Sequence, residues 1–438
     1  MPRLRESSKV RDFLNSDPLW LGTVAFLAAF VTYFSMYAFR RPFVAGTYGG
    51  EASEFLQFHG EGITFKSAFI LSQVLGYAVS KYLGAKFCSE THRHQVAPRL
   101  VILILAAWLA LVFFGFLPGR WKALALFFNG LPIGMVWGLL VRVLEGRRLS
   151  EAMFAGLAAS YVLAGGWLRA AGRWILDTGL VNEFWMPLAL ATCFLPWFLA
   201  GAWVLHQLPP PGREDEMERA ARPAMDRHRR KDFIREFFPG VMLLALMFFL
   251  LTAYRDFRDN FQVDLFVEMG METEPVLLLM TETPVALVVT LSLVFLSMVR
   301  DNRRALITGY SLMAVGSAML GISTALFQNG MIGGGMWMML SGMGAYLAYV
   351  PLGSAVIERT IAYTRFVGTA AFAISLVDAV GYTGSVGVIL WKDFFAADLS
   401  RLGFITGFSW LMCLSGLLLS FASLWYFLRK GSEAQMHP

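Results

Sequence analysis

The chain is 438 residues long with a formal net charge of +6; 57% of it is hydrophobic and 16% charged, at a mean hydropathy of +0.56. Soluble domains carry roughly one-quarter charged residues, so this composition excludes a soluble enzyme or binding module folded around one core. Apolar runs recur at the length that crosses ~30 Å of hydrocarbon as a helix, and the short alternating segments of a membrane β-barrel do not appear.

In chain order the runs predict spans over 19–43, 64–84, 100–118, 121–142, 153–176, 184–207, 239–259, 276–298, 305–327, 334–357, 366–390 and 404–428. Arg3, Arg5, Lys9 and Arg11 precede the first run, and no small-residue cleavage site follows it. A retained first helix is therefore expected, not a signal peptide. The longest polar stretch, Pro209 to Glu236, follows the sixth span. It divides the chain into a six-helix bundle over 1–208, a linker over 209–236 and a second six-helix bundle over 237–438.

Assigning loops to alternating sides puts about 25 Lys and Arg residues with the termini and the linker, and leaves Arg120, Lys122, Lys392 and Arg401 on the other side. That asymmetry predicts a multi-pass protein of the cell (inner) membrane with both termini cytoplasmic. It also explains the positive net charge without nucleic acid. The expected partners are the lipid bilayer and a small solute, with the chain a monomer. Cys88, Cys193 and Cys413 lie far apart with no CxxC spacing, so neither disulfide framework nor metal site is indicated, and no cofactor is expected.

Short strings recur between the halves. Ala38-Phe39-Arg40 in the first span matches Ala253-Tyr254-Arg255 in the seventh, Glu145 near Arg147 matches Glu358 near Arg359, and Gly156-Leu-Ala-Ala matches Gly368-Thr-Ala-Ala. The offsets of 215, 213 and 212 agree closely enough to indicate a parallel duplication. Parallel repeats of six helices are the layout of the major facilitator fold, so the expected class is an all-α polytopic membrane protein of that fold with about twelve transmembrane helices.

An ionised side chain near the bilayer centre costs at least ~2.5–3.5 kcal/mol, so it persists where a cavity or partner receives it. The spans carry Arg40, Arg41, Lys81, Arg169, Arg255, Asp256, Arg258, Asp259, Glu282 and Asp378. Arg41 and Arg173 have the position to reach the headgroups. Lys81 either does the same or lines the solute path. Arg258 and Asp259, three and four residues beyond Arg255, either form an ion-pair ladder at the outer mouth or extend the site.

Arg40 and Arg255 differ because the repeat places them at equivalent points of facing helices. Two guanidiniums in one cavity repel unless an anion sits between them, and their planar forks suit bidentate contact with phosphate or carboxylate oxygens. Tyr33, Tyr37, Tyr77 and Tyr161 offer uncharged donors beside them, and Arg169 adds a further positive charge. Glu282, Asp378 and Asp259 are candidates for proton coupling or charge balance. Pro284 and Gly165-Gly166 are candidate bends for the movement of the halves.

The first-span string Tyr33-Phe-Ser-Met-Tyr37-Ala-Phe-Arg40-Arg41-Pro-Phe43 resembles the signature of the organophosphate:phosphate antiporters of the major facilitator superfamily, which include the glycerol-3-phosphate and hexose-phosphate transporters. Tyr254-Arg255 with Asp259 and Phe261 resembles that family's second arginine segment. Ser80-Lys81-Tyr82, Gly134-Met-Val-Trp137 through Arg142, Glu282 and Gly368-Thr-Ala-Ala371 are further likenesses. The resemblance implies that Arg40 and Arg255 bind the phosphoryl group, that Lys81 lies along the substrate path, and that Glu282 balances charge. The loop after the second span lacks the superfamily's Asp-Arg pair, and Tyr161 stands where the family has a histidine.

These readings point to a secondary transporter of a small phosphorylated or carboxylated anion, in exchange for phosphate or coupled to protons. The alternative is a non-transporting receptor with a transporter-like anion site. An enzyme fits least. The histidines His92, His94, His206, His228 and His437 fall in loops or at helix ends, His59 lies outside, and no nucleophile, metal or phosphate-loop constellation accompanies them.

Overall fold

The computed structural model describes residues 18–49, 54–58, 61–89, 91–144, 150–209, 227–364 and 370–436. The first half comprises α1 (Pro18–Tyr37), α2 (Phe65–Ser89), α3 (Val96–Phe116), α4 (Trp121–Leu144), α5 (Ser150–Asp177) and α6 (Met186–Gln207). The second comprises α7 (Arg227–Asn260), a short α8 (Gln262–Glu268), α9 (Pro275–Met298), α10 (Asn302–Gln328), α11 (Gly334–Pro351), α12 (Ile357–Tyr363), α13 (Ala370–Phe395) and α14 (Arg401–Met436). A π-helical turn over Leu352–Val356 joins α11 to α12, so these two act as one span.

The packing repeats. α1 packs on α5 and α6, and α7 packs on α13 and α14; α4 packs on α2 and α3, and α11 packs on α9 and α10; α3 meets α6 as α10 meets α14. Each pair in the first half thus has its counterpart six spans later. Two seams join the halves, α5 against α9 and α2 against α13, and the repeat exchanges one for the other. This is the expected all-α architecture of two six-helix repeats. Glycines let the helices approach: a Cβ on Gly130 would lie 2.2 Å from the Gln73 carbonyl oxygen, and one on Gly344 would lie 2.7 Å from that of Gly316.

Among the described residues eight helices, α1, α3, α4, α6, α7, α9, α10 and α14, are long and apolar enough to cross a membrane by length and composition. Three of the others, α2, α5 and α13, carry Lys66 and Lys81, Arg169 and Arg173, and Asp378 and Lys392. The helices that dilute the hydropathy signal are therefore largely those that bring charge to the seams.

Several boundaries move. The first span was expected to run to 43, but α1 ends at Tyr37; the amides of Ala38, Phe39 and Arg40 bond to carbonyls three residues back, and a 3₁₀ turn follows over Pro42–Ala45. Pro42 has no N–H to continue an α-helix. α7 begins inside the expected linker at Arg227 and breaks at Phe237 (φ −108, ψ 18), two residues before Pro239. α5 runs without a break in its helix through Gly165-Gly166, and α9 through Pro284. A hairpin of β1 (Glu54–Phe58) and β2 (Glu61–Thr64), paired Leu56 to Ile63 and Phe58 to Glu61, was not anticipated, because strands this short leave no usable alternation. Glu145, Arg147, Gly368 and Thr369 of the repeat matches lie outside the described residues, as do 210–226 of the linker.

Candidate functional site

The helix ends define two faces: the linker face, at Gln207 and Arg227, and the hairpin face, at the β1–β2 hairpin. Tyr77 is the central residue of α2, and Tyr349 and Tyr382 lie near the middle of the α11–α12 span and of α13. The Arg40 guanidinium carbon sits 4.0 Å from the Tyr77 ring centroid, with Tyr37 at 5.6 Å and Tyr382 at 5.9 Å. Arg255 sits 4.0 Å from the Tyr349 ring centroid. Both guanidiniums are buried and lie at mid-depth, beside these rings.

The backbone at Arg40 is held by Gln73, whose amide donates to the Arg40 carbonyl at 3.0 Å and to Asn129 Oδ1 at 2.8 Å. Asn129 in turn donates to the Ala107 carbonyl. This chain from α2 through α4 to α3 occupies a carbonyl left over beyond the end of α1. Arg255 is paired with Asp256 at 2.8 Å, and the other Asp256 oxygen accepts from Ser385 at 2.8 Å. Asp256 and Tyr382 each lie within electrostatic reach of both Arg40 and Arg255. Arg40 Nη1 and Arg255 Nε are buried without a hydrogen-bond partner among the described residues.

Aromatic side chains wall this layer. Tyr33 packs against Tyr37 (5.4 Å between centroids) and Trp137 (5.2 Å), and Trp137 against Tyr161 (6.2 Å). The Tyr77 and Tyr382 rings meet in a tilted contact, 4.7 Å between centroids, across the α2–α13 seam. The sequence-predicted tyrosines Tyr33, Tyr37, Tyr77 and Tyr161 thus share one layer with both arginines.

Arg169, Arg258, Asp259 and Glu282 form a second layer nearer the hairpin face. Arg258 bonds Asp259 and Glu282, both at 2.9 Å, and the Met338 carbonyl at 2.6 Å. Glu282 also accepts from Gln262 at 2.7 Å, and Arg169 Nη2 lies 3.7 Å from it while Arg169 Nη1 donates to the Asp259 carbonyl. Tyr346 donates to the second Asp259 oxygen at 2.6 Å. Glycines make the room: a Cβ on Gly342 would meet Arg258 Nη2 at 2.3 Å, and one on Gly166 would meet Glu282 Cβ at 2.3 Å.

Arg41 belongs to this layer as well. It is 4% exposed, donates to Asn260 Oδ1, and lies 3.6 Å from Asp256 and 3.8 Å from Asp259. The expectation that it reaches the headgroups is corrected: the last turn of α7 supplies an amide and two carboxylates that water would otherwise have to replace. By the offset of 215 that relates Arg40 to Arg255, Arg41 corresponds to Asp256, so the repeat positions that face each other carry opposite charge. Arg173, by contrast, pairs with Asp177 at the hairpin-side end of α5, partly exposed.

Lys81 and Asp378 form a third, separate group. Their 2.9 Å ion pair bridges α2 and α13, and Lys81 Nζ also lies 5.0 Å from the Tyr77 ring centroid and 5.6 Å from that of Tyr382. Sequence reasoning missed Tyr346, Tyr349, Tyr382, Gln262 and the Lys66–Asp264 pair (2.6 Å) near the hairpin face. The spacing of Tyr346 and Tyr349, and Tyr382 four residues after Asp378, carried the signal.

No curated protein matches the sequence. Among solved structures, a crystal structure of a D-xylose-proton symporter aligns with a TM-score of 0.58, covering 92% of this chain and 96% of that one at 13% identity. At that identity the likeness speaks for the fold alone, and the fold is the major facilitator arrangement of a multi-pass membrane protein. Residues 42–430 match a family described as a family of unknown function (DUF5690). The match spans most of the chain, and the protein belongs to that family.

Proposed function

We propose that the protein is a secondary active transporter, not an enzyme, which moves a small phosphorylated or carboxylated anion by alternating access of two halves, 1–208 and 237–438. The observation that carries this reading is the charge of the buried interior. Arg40, Arg41, Arg169, Arg255 and Arg258 are buried there, against the carboxylates of Asp256, Asp259 and Glu282. Five guanidiniums facing three carboxylates leave an excess of two positive charges where each uncompensated one is expensive. A bound anion offsets that excess; a cation adds to it.

Among the described residues Arg40 has no carboxylate in ion-pair contact and its Nη1 has no hydrogen-bond partner, and Arg255 shares Asp256 with Arg41. These two are the proposed anion contacts, with Tyr37, Tyr77 and Tyr382 around them. Arg169, Arg258, Asp259 and Glu282 close the hairpin side. The protein works as a monomer, with the linker 209–236 and both termini in the cytoplasm.

Purified protein in liposomes, tested with inorganic phosphate, organophosphates and carboxylates, is expected to bind and exchange at least one of them. A phosphate-loaded lumen and an imposed pH gradient separate exchange from proton coupling. Arg40→Lys and Arg255→Lys keep charge but lose the planar fork, so each should weaken binding about tenfold or more, with the double variant little worse than either. Normal transport by both lysine variants would remove the mechanism. Binding without counterflow would favour a receptor. A cysteine at Ala220 in a cysteine-free background should resist labelling from outside intact cells; ready labelling reverses the orientation.

A further inference from the structure

Four buried or half-buried carboxylates lie among the arginines, the tyrosines and Lys81, and three of them are held several times over. Asp256 engages Arg255, Ser385 and Arg41; Asp259 engages Arg258, Tyr346 and Arg41; Glu282 engages Arg258, Gln262 and Arg169. Asp378 differs. Among the described residues Lys81 is its one hydrogen-bonding or ion-pair partner.

Depth separates it further. Lys81 lies eight residues from the linker-side end of α2, and Asp378 eight residues from the linker-side end of α13. At 1.5 Å per residue both are about 12 Å from that face, and about 24 Å from the other. The side chains of the pair are 13% and 18% exposed. The pair lies nearer the linker face than the Arg40 guanidinium, and Lys81 shares the Tyr77 and Tyr382 rings with that guanidinium.

We propose that Asp378 is a built-in competitor for the transported anion: in the empty carrier its carboxylate occupies Lys81, and the arriving solute displaces it. The proposal rests on the anion-carrier reading above. The exchange replaces one oxygen anion by another at the same ammonium, so Lys81 is paired in both states. A partly exposed ion pair with one contact yields more readily than a fully buried, multiply bonded one, where removing a partner strands a buried charge. Displacement also removes a polar tie between the halves, and so links solute arrival to the α2–α13 seam.

The test is equilibrium binding of radiolabelled inorganic phosphate, with succinate as the carboxylate probe, to the purified full-length protein in nanodiscs. Asp378→Asn is expected to bind the preferred probe about tenfold more tightly, because the competitor is gone while Lys81 remains. Asp378→Glu keeps a competitor and should bind near the wild-type level. Lys81→Met should bind more weakly, and Lys81→Met/Asp378→Asn should match Lys81→Met, since the gain needs the ammonium.

If the pair were a latch without competition, Lys81→Met would break the same tie and tighten binding too; that result overturns the proposal. So does a folded Asp378→Asn that binds no more tightly than wild type. Should Asp378→Asn fail to fold, Asp378→Ser, which leaves room for water beside Lys81, is held to the same comparison. Wild-type protein that binds neither probe counts first against the anion-carrier reading, and removes this proposal with it.

Discussion

The α5–α9 seam and the α2–α13 seam are exchanged by the repeat, yet they handle charge in opposite ways. In the first, Glu282 and Arg258 are each 1% exposed and Gln262 and Arg169 crowd the same carboxylate. In the second, Lys81 and Asp378 are each other's one ion-pair partner among the described residues, and are 13% and 18% exposed. A parallel duplication relates helices at equal depth, but these charges do not follow it. Glu282 lies seven residues from the hairpin-side end of α9, and Asp378 eight from the linker-side end of α13. At the offset of 212 that relates Gly156 to Gly368, Asp378 corresponds to Gly166, the glycine that admits Glu282. The fold supplies two equivalent contacts; the side chains make one of them a fully buried, multiply bonded network and the other a single, partly exposed ion pair.

The largest expected effect tests that contrast directly. Glu282→Gln removes the negative charge that Arg258 and Arg169 share, leaving buried cations without compensation, and should cost about 3–5 kcal/mol or abolish the folded protein. Asp378→Asn, which leaves one partly exposed ammonium without its partner, should cost less, about 1–3 kcal/mol. Thermal unfolding of the two variants in the same detergent measures both. Equal losses would end the distinction between the seams.

A smaller effect sharpens it. Gly166→Ala places a methyl 2.3 Å from Glu282 Cβ and must push α5 off α9, which should cost about 1–3 kcal/mol. A Cβ on Gly165 would meet nothing within 4 Å, so Gly165→Ala should be neutral or stabilise by up to about 1 kcal/mol through helix propensity. The melting temperatures of this adjacent pair should therefore move apart. A matching loss at both sites would return the Gly-Gly step to the bend that the sequence invited.

The spans were legible because twenty-residue apolar runs have one cheap arrangement in a bilayer. The mid-depth placement of Arg40 and Arg255 was legible too, since a duplicated position carrying the same costly charge has few explanations. Arg41 was not, because the direction of a long side chain depends on Asn260, which lies 219 residues away. Tyr349 and Tyr382 were obscured by the habit of tyrosines to collect at membrane interfaces. The tightened turn at Ala38–Arg41 was hidden within an apolar run that continues past Tyr37, with Pro42 as its single marker. Nothing in the sequence paired Lys66 with Asp264 or Lys81 with Asp378, since such pairs follow from how the halves dock.

The smallest expected effect concerns the hydrogen bonds on the outer rims of the two seams. Tyr82 and Thr383 bond at 3.3 Å between α2 and α13, and Trp167 donates to Thr283 at 3.1 Å between α5 and α9. Both are exposed, and the Thr383 hydroxyl also bonds the Ala379 carbonyl of its own helix at 3.1 Å, so its alternative to the cross-seam bond is not an empty one. Thr383→Val and Thr283→Val keep the shape of the side chain and remove the hydroxyl. Each should cost about 0.5 kcal/mol, at the low end for a single hydrogen bond, and leave the exchange rate in liposomes nearly unchanged. If the seams are distinguished by their ion pairs, the two valine variants should be indistinguishable from each other. A Thr383→Val variant that stays folded but alters exchange severalfold, with Thr283→Val silent, would assign control of the α2–α13 seam to this rim contact and take it away from Lys81 and Asp378.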